Sequence, residues 1–120
     1  MNTPYNYIVN PQVVSQGQYL PPAWQASLPS EIYDRRLMGI AISCSNALGI
    51  VSSKALIYLG FVAPANLIDQ TSRGGSNTAD YSGGSYIVQR GNTVVVQWVP
   101  LGNAFDGSET VSATFRVVQV

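Results

Sequence analysis

The segment Thr110–Val120 at the end of the chain alternates between polar and apolar side chains over most of its length. One face carries Val111, Ala113, Phe115 and Val117, and the other carries Ser112, Thr114 and Arg116. Successive side chains of a β-strand point to opposite faces of a sheet, whereas a helix repeats its apolar residues every three or four positions. The segment is therefore predicted to be a strand with one face in a hydrophobic core.

Other segments show the same short-strand character. The pattern of residues 37–44 assigns one face to Met38, Ile40, Ile42 and Cys44, and the other to Leu37, Gly39, Ala41 and Ser43. Ala55–Val62 is apolar on both faces, as expected for a central strand. Gly91–Asn92 lies between two such runs and predicts a hairpin turn, because these residues tolerate positive φ. In the run that follows, Trp98 shares the apolar face and is predicted to lie in the core.

No segment predicts a long helix, and turn signals recur at the spacing of strands. The predicted fold is all-β, a single jelly-roll-like β-sandwich of about six to eight strands, with an immunoglobulin-like topology as the alternative. A chain of 120 residues is the size of one domain. We divide it into an extended N-terminal arm at residues 1–30 and a sandwich at residues 31–120.

The arm is defined by five prolines, which exclude a helix of useful length. It also carries too much aromatic and apolar surface to remain in water, so it must dock on its own sandwich or on a neighbouring subunit. Both alternatives stay open. The candidate interface residues of the arm are Tyr5, Tyr7, Tyr19, Leu20 and Trp24.

Two further groups are candidate contact sites. Residues 31–36, where the arm meets the sandwich, include two acidic residues and the two cations Arg35 and Arg36. We expect either a local salt-bridged cluster or an anchor to another subunit through Arg35 and Arg36. The segment Ser72–Gly84 contains four glycines and predicts a long flexible loop. Its candidate contact residues are Arg73, Asp80 and Tyr81, with Tyr81 as an aromatic platform for a sugar ring.

The composition excludes several kinds of chemistry. The chain has no histidine and a single cysteine, Cys44, so neither a zinc site nor an activated nucleophile is expected. We therefore expect no enzymatic activity, no catalytic residue, no metal and no cofactor. Six basic and six acidic residues give a net charge of zero, which argues against nucleic-acid binding.

The polar surface must consist mainly of uncharged side chains, because charged residues make up only 10% of the chain. Such surfaces are usual for proteins exposed outside cells. The first residues have neither the basic start nor the apolar run of a signal peptide, and no apolar run is long enough to span a membrane. We expect a protein made in a host cytoplasm and later exposed on a virus or phage particle.

These features together resemble the small β-sandwich proteins of virus and phage particles, which include capsid decoration (cement) proteins and minor capsid proteins. The resemblance is carried by the Pro/Gln/Tyr-rich arm, the unprocessed start and the charge-poor alternating strands that end at Val120. It implies a structural protein of the virion that assembles with itself, as a trimer or another homo-oligomer, and with a major capsid protein or another structural protein. The alternative is a carbohydrate-binding β-sandwich with a glycan as its partner.

Overall fold

The computed structural model describes residues 3–13, 24–44, 52–74, 77–81, 86–101 and 110–120. Within these ranges the chain forms nine strands and one short 3₁₀ helix at Pro64–Asn66. The strands are β1 (Tyr5–Val13), β2 (Trp24–Leu28), β3 (Arg35–Cys44), β4 (Ser52–Leu59), β5 (Leu67–Gly74), β6 (Asn77–Asp80), β7 (Ile87–Val88), β8 (Val94–Leu101) and β9 (Thr110–Gln119).

The strands form two antiparallel sheets that pack face to face. Sheet A has the order β1-β9-β3-β6. Strand β6 pairs with residues 39–42 of β3, and β7 pairs with the beginning of the same strand, at Arg35 and Arg36. Sheet B has the order β2-β8-β4-β5. The predicted all-β sandwich is confirmed.

The pairing of the strands is nested along the chain. The first strand pairs with the last, β2 pairs with β8, β3 pairs with β6 and β7, and β4 pairs with β5. This is the pattern of one long antiparallel ribbon rolled into two sheets, which is the jelly-roll topology. Because β6 and β7 share one position beside β3, the nine strands occupy eight positions.

The core lies between the sheets and follows the predicted alternation on β9, where Val111, Ala113, Phe115 and Val117 are buried. Trp98 on β8 is also buried, as predicted. Other large buried residues of this core come from β2, β3, β4, β7 and β8 and from the residue after β6: Leu28, Leu37, Ile40, Ile42, Ile57, Val88, Val94, Val96 and Tyr81.

The predicted faces of β3 are wrong at one end, because the strand contains a bulge at Met38. Leu37 pairs with Val117 and Gly39 pairs with Arg116, so Met38 is an extra residue in the ladder. A bulge of one residue reverses the alternation. Leu37 therefore points into the core together with Ile40 and Ile42.

The predicted hairpin at Gly91–Asn92 is also wrong in its pairing. A turn is present, since the Asn92 N–H donates to the Gln89 carbonyl at 2.9 Å and Gly91 has a φ of 79°. The strand before the turn is β7, which pairs with β3 in sheet A, whereas β8 belongs to sheet B. The turn therefore connects the two sheets.

The described parts of the N-terminal segment include two strands, and both are hydrogen-bonded into the sandwich. Strand β1 pairs with β9 at one edge of sheet A, and β2 pairs with β8 at one edge of sheet B. The ladder of β1 is interrupted at Asn10–Pro11, because proline has no N–H to donate and is tolerated at an edge or a bulge. The division of the chain at residue 30 stays a prediction.

Candidate interaction surface

Three connections between strands meet at one end of the sandwich, which we call the loop end: residues 29–34, 60–66 and 89–93. Backbone hydrogen bonds join them. The Gly91 N–H donates to the Glu31 carbonyl at 2.8 Å, and the Gly60 N–H donates to the Thr93 carbonyl at 2.8 Å. The loops therefore hold one another in place.

Side chains add further bonds at the loop end. Asp34 Oδ1 accepts the Arg90 N–H at 2.8 Å, and Asn66 Nδ2 donates to the Phe61 carbonyl at 2.8 Å. Residues 31–36 are all described, and the salt-bridged cluster expected there as one alternative is not formed among them. The Asp34 carboxylate accepts the backbone N–H of Arg90.

Arg35 is buried beneath these loops, with only 1% of its surface exposed. It lies on the core-facing side of β3 with Leu37, because both precede the bulge. Its Nη2 donates to the Asn92 carbonyl at 3.3 Å, whereas its buried Nε has no hydrogen-bond partner. The prediction that Arg35 contacts another subunit is therefore corrected, since this side chain supports the loop at residues 89–93 from within. Arg36 is exposed, as an interface residue requires.

The loop end exposes large apolar side chains that the sequence reasoning missed. Ile32 is 89% exposed and Phe61 is 75% exposed, and Val62, Leu67 and Val120 are each exposed by more than two fifths. Phe61 and Val62 were assigned to the central strand, but β4 ends at Leu59. The signal in the sequence was Gly60, whose φ of 102° favours glycine and ends the strand.

A second exposed surface lies on β1. Tyr5 and Tyr7 pair with Val117 and Phe115, so they lie on the core-facing side of the sheet at its edge, and each is 38% exposed. Ile8 points to the outer side and is 64% exposed. Tyr5 also hydrogen-bonds Tyr33, which raises the pKa of the Tyr33 hydroxyl.

The other predicted interface residues of the arm cannot be placed in the same way. Tyr19 and Leu20 lie outside the described residues, as does the side chain of Trp24, whose backbone pairs with Trp98. They stay predictions.

The predicted loop at residues 72–84 is corrected in its described part. Residues 72–74 complete β5, and residues 77–80 form β6. The side chain of Arg73 lies outside the described residues, whereas Asp80 is exposed.

Tyr81 is not a surface contact, because only 8% of its surface is exposed. Its hydroxyl donates to Asp69 Oδ2 at 2.6 Å, and its ring meets that of Tyr86 edge to face, with centroids 5.2 Å apart. Burial and this hydrogen bond raise the pKa of the Tyr81 hydroxyl well above its ordinary value. The side chain is therefore unavailable as a platform for a sugar ring.

A shallow groove crosses the outer face of sheet A. Gly39 contributes no side chain to its floor, and Asn6, Arg116 and Asp80 lie around it. Arg116 Nη1 donates to Asn6 Oδ1 at 3.4 Å. Among the described residues, no aromatic side chain lines this groove, so they offer hydrogen-bonding groups to a ligand but no aromatic stacking surface.

The described residues contain no group of three or more acids, histidines or cysteines placed to hold a metal ion. Nor do they include a helix with the length and apolar character needed to cross a membrane.

The fold and surface together define a small jelly-roll β-sandwich with an apolar loop end and an uncharged edge strand. No protein-family model matches the chain, and no curated protein matches it. Among solved structures, the chain is similar to one in the acidic stable capsid structure of Helicobacter pylori bacteriophage KHP30. The alignment covers 100% of this chain and 94% of that chain, at 12% identity and a TM-score of 0.39. It is a weak structural neighbour.

Proposed function

We propose that this chain is a non-enzymatic structural component of a virus or phage particle, in the role of a capsid decoration (cement) or minor capsid protein. The fold alone cannot carry this proposal, because jelly-roll sandwiches serve both capsids and lectins. The proposal rests on the surface of the loop end. Large apolar side chains, above all Ile32 and Phe61, are exposed there on loops that are hydrogen-bonded to one another.

Such a surface suits permanent assembly. Exposed apolar groups on a fixed backbone lose little conformational freedom when a partner covers them, and their burial is favourable. Charged groups are scarce, so Coulomb attraction contributes little to an interface of this kind. A sequence without histidine also supports a non-enzymatic role.

The first experiment locates the protein. Antibodies against the chain are applied to the native source and imaged by immunogold electron microscopy. We expect gold on the surface of particles, and label confined to particle-free material would contradict a role in the virion.

The second experiment tests the nature of the contact. Salt screens exposed charge pairs, with a Debye length of about 10 Å at 0.1 M and about 3 Å at 1 M, but does not weaken apolar burial. We expect the chain to stay with purified particles through washes in 1 M sodium chloride. Release at a few hundred millimolar would show that charge holds it.

Two substitutions connect the contact to the loop end. Ile32→Lys and Phe61→Lys change highly exposed side chains and should leave folding intact while reducing incorporation into particles. Ser43→Lys is the matched control, since it adds the same charge to an exposed residue of β3 far from the apolar loop end. Equal incorporation of all three variants would contradict a contact through the loop end, and binding to a glycan array would favour the carbohydrate-binding alternative.

A further inference from the structure

The β5/β6 side of the sandwich and the β1 edge differ in their charged residues and in the side-chain bonds between the sheets. On the side of β5 and β6, the Tyr81 hydroxyl donates to Asp69 and the Tyr86 hydroxyl donates to the Ile68 carbonyl at 3.4 Å, so side chains join sheet A to sheet B. The edge strands there also carry charged residues, including Asp69 and Asp80. Charges at edges are a common protection against the addition of another strand.

The edge formed by β1 lacks that protection. Its nine residues, Tyr-Asn-Tyr-Ile-Val-Asn-Pro-Gln-Val, include no charged residue, and no described strand pairs with its outer side. The one proline within β1 is Pro11, at the bulge, so the stretch Tyr5–Val9 is regular. Its alternate residues direct their backbone groups away from β9, which leaves at least two N–H donors and two carbonyl acceptors at the edge.

We propose that β1 pairs antiparallel with β1 of a second copy of this chain, which joins the two A sheets across a two-fold axis at Tyr7. This inference deepens the proposed function, on which it rests, by naming the partner of one edge. The register follows from the limits of the regular stretch. Overlap of Tyr5–Val9 with itself is complete only when Tyr7 lies opposite Tyr7 of the second copy.

This register is self-complementary on both faces. Tyr5 lies opposite Val9 of the second copy, and the two Tyr7 side chains are direct neighbours, so each core-facing pair is aromatic or aliphatic. On the outer face Ile8 lies opposite Asn6, and the two Ile8 side chains are diagonal neighbours. Both copies direct odd-numbered residues toward their cores, so the pairing keeps every residue on its present face.

The first test measures association of the purified full-length chain by analytical ultracentrifugation between about 1 and 100 µM, with no other protein present. We expect a concentration-dependent dimer. Ile8→Lys, which sets two like charges near each other, should raise the dimer dissociation constant by roughly tenfold or more. The matched control is Ser43→Lys, which adds the same charge to an exposed residue of β3, outside both β1 and the loop end, and should leave the dimer unchanged.

The second test fixes the register. In a Cys44→Ser background, Tyr7→Cys places two thiols opposite each other at the two-fold axis, within reach of a disulfide. We expect oxidation to give a covalent dimer on a non-reducing gel, and the control Ser43→Cys, an exposed position on β3, to remain monomeric on that gel. If Ile8→Lys loses its β-sheet circular dichroism, this crosslink decides the matter.

Three results would overturn the self-pairing. They are a monomeric wild type at every concentration, a dimer insensitive to Ile8→Lys, and a dimer that Tyr7→Cys does not crosslink. A wild-type monomer that nevertheless labels particles would leave the proposed function standing and assign the edge to another partner. A dimer that is absent from particles would contradict the proposed function alone.

Discussion

The hydroxyl of Tyr81, just after β6 in sheet A, donates a hydrogen bond of 2.6 Å to a carboxylate oxygen of Asp69 on β5 in sheet B. The ring of Tyr81 belongs to the core between the sheets. One side chain therefore fills the interior and ties the sheets together at their β5/β6 side.

Removal of this hydroxyl should destabilise the fold. Hydrogen bonds to charged groups contribute about 1.5–3 kcal/mol, so Tyr81→Phe should lower the free energy of unfolding by about that amount in urea titrations. Tyr86→Phe is the control, because the hydroxyl of Tyr86 makes a longer bond of 3.4 Å to the Ile68 carbonyl. An equal loss in both variants would contradict a special contribution from the Tyr81–Asp69 pair.

The raised pKa of Tyr81 predicts a loss of stability in alkali. In the unfolded chain a tyrosine loses its proton near pH 10, whereas folded Tyr81 keeps it to higher pH because of burial and Asp69. Above about pH 10 the folded state therefore binds more protons than the unfolded state, and the free energy of unfolding falls as pH rises. Urea titrations from pH 8 to 11 should show this decline, and Tyr81→Phe should show less of it.

Two glycines with positive φ should differ in their tolerance of alanine. A Cβ at Gly91, with a φ of 79°, would meet nothing within 4 Å, so Gly91→Ala should cost only the backbone strain of about 1–2 kcal/mol. A Cβ at Gly60 would come within 3.2 Å of Asn92 Oδ1, which accepts the Thr93 N–H. Thermal unfolding should therefore show a larger loss for Gly60→Ala, and a smaller one would mean that Asn92 moves freely.

The burial of Arg35 at the loop end predicts the order of the stability losses that substitutions at residues 35 and 36 should cause. Arg35→Ala leaves a cavity and frees the Asn92 carbonyl, so we expect a loss of about 2–4 kcal/mol. Arg35→Met fills most of that space without a buried charge and should cost less than Arg35→Ala. Arg36→Ala, at the exposed neighbour, should change stability by less than about 0.5 kcal/mol. Equal losses for Arg35→Ala and Arg36→Ala in urea titrations would contradict the burial of Arg35.

Strand β1 should matter for folding as well as for assembly. Val9 packs against the core, and Tyr7 pairs with the buried Phe115. Deletion of residues 1–9 should uncover this part of β9 and cost on the order of 3 kcal/mol or more, because each fully buried large apolar side chain contributes about 1.5–3 kcal/mol. An arm used only between subunits would instead leave the urea midpoint of the truncated chain unchanged.

Local alternation was enough to predict the strands whose ladders are regular. The two-residue alternation of apolar side chains predicts which residues of β9 face the core, and it predicts the burial of Trp98 on β8. A regular strand has only two faces, and its apolar face is buried away from water. The low content of charged residues also follows from the sequence, and it restricts the surface to apolar and neutral contacts.

Tertiary structure decided the features that depend on distant residues. The bulge at Met38 arises in the pairing of β3 with β9, and it reverses the face of Leu37 relative to the local pattern. The sheet that β7 joins is set by its pairing with β3, which no turn signal at Gly91 encodes. A local sequence pattern predicts that a segment forms a strand. Which other strand it pairs with depends on how apolar residues from the whole chain are buried together.

The same reason explains the errors at the candidate site. Arg35 and Tyr81 belong to residue types that usually lie at the surface or near it, and their neighbours in sequence suggested a cluster of charges and a loop. Each is buried because a partner far along the chain meets its polar atom, the Asn92 carbonyl for Arg35 and the Asp69 carboxylate for Tyr81. Ile32 and Phe61 are exposed because they lie in the connections between strands, outside the two sheets that enclose the core.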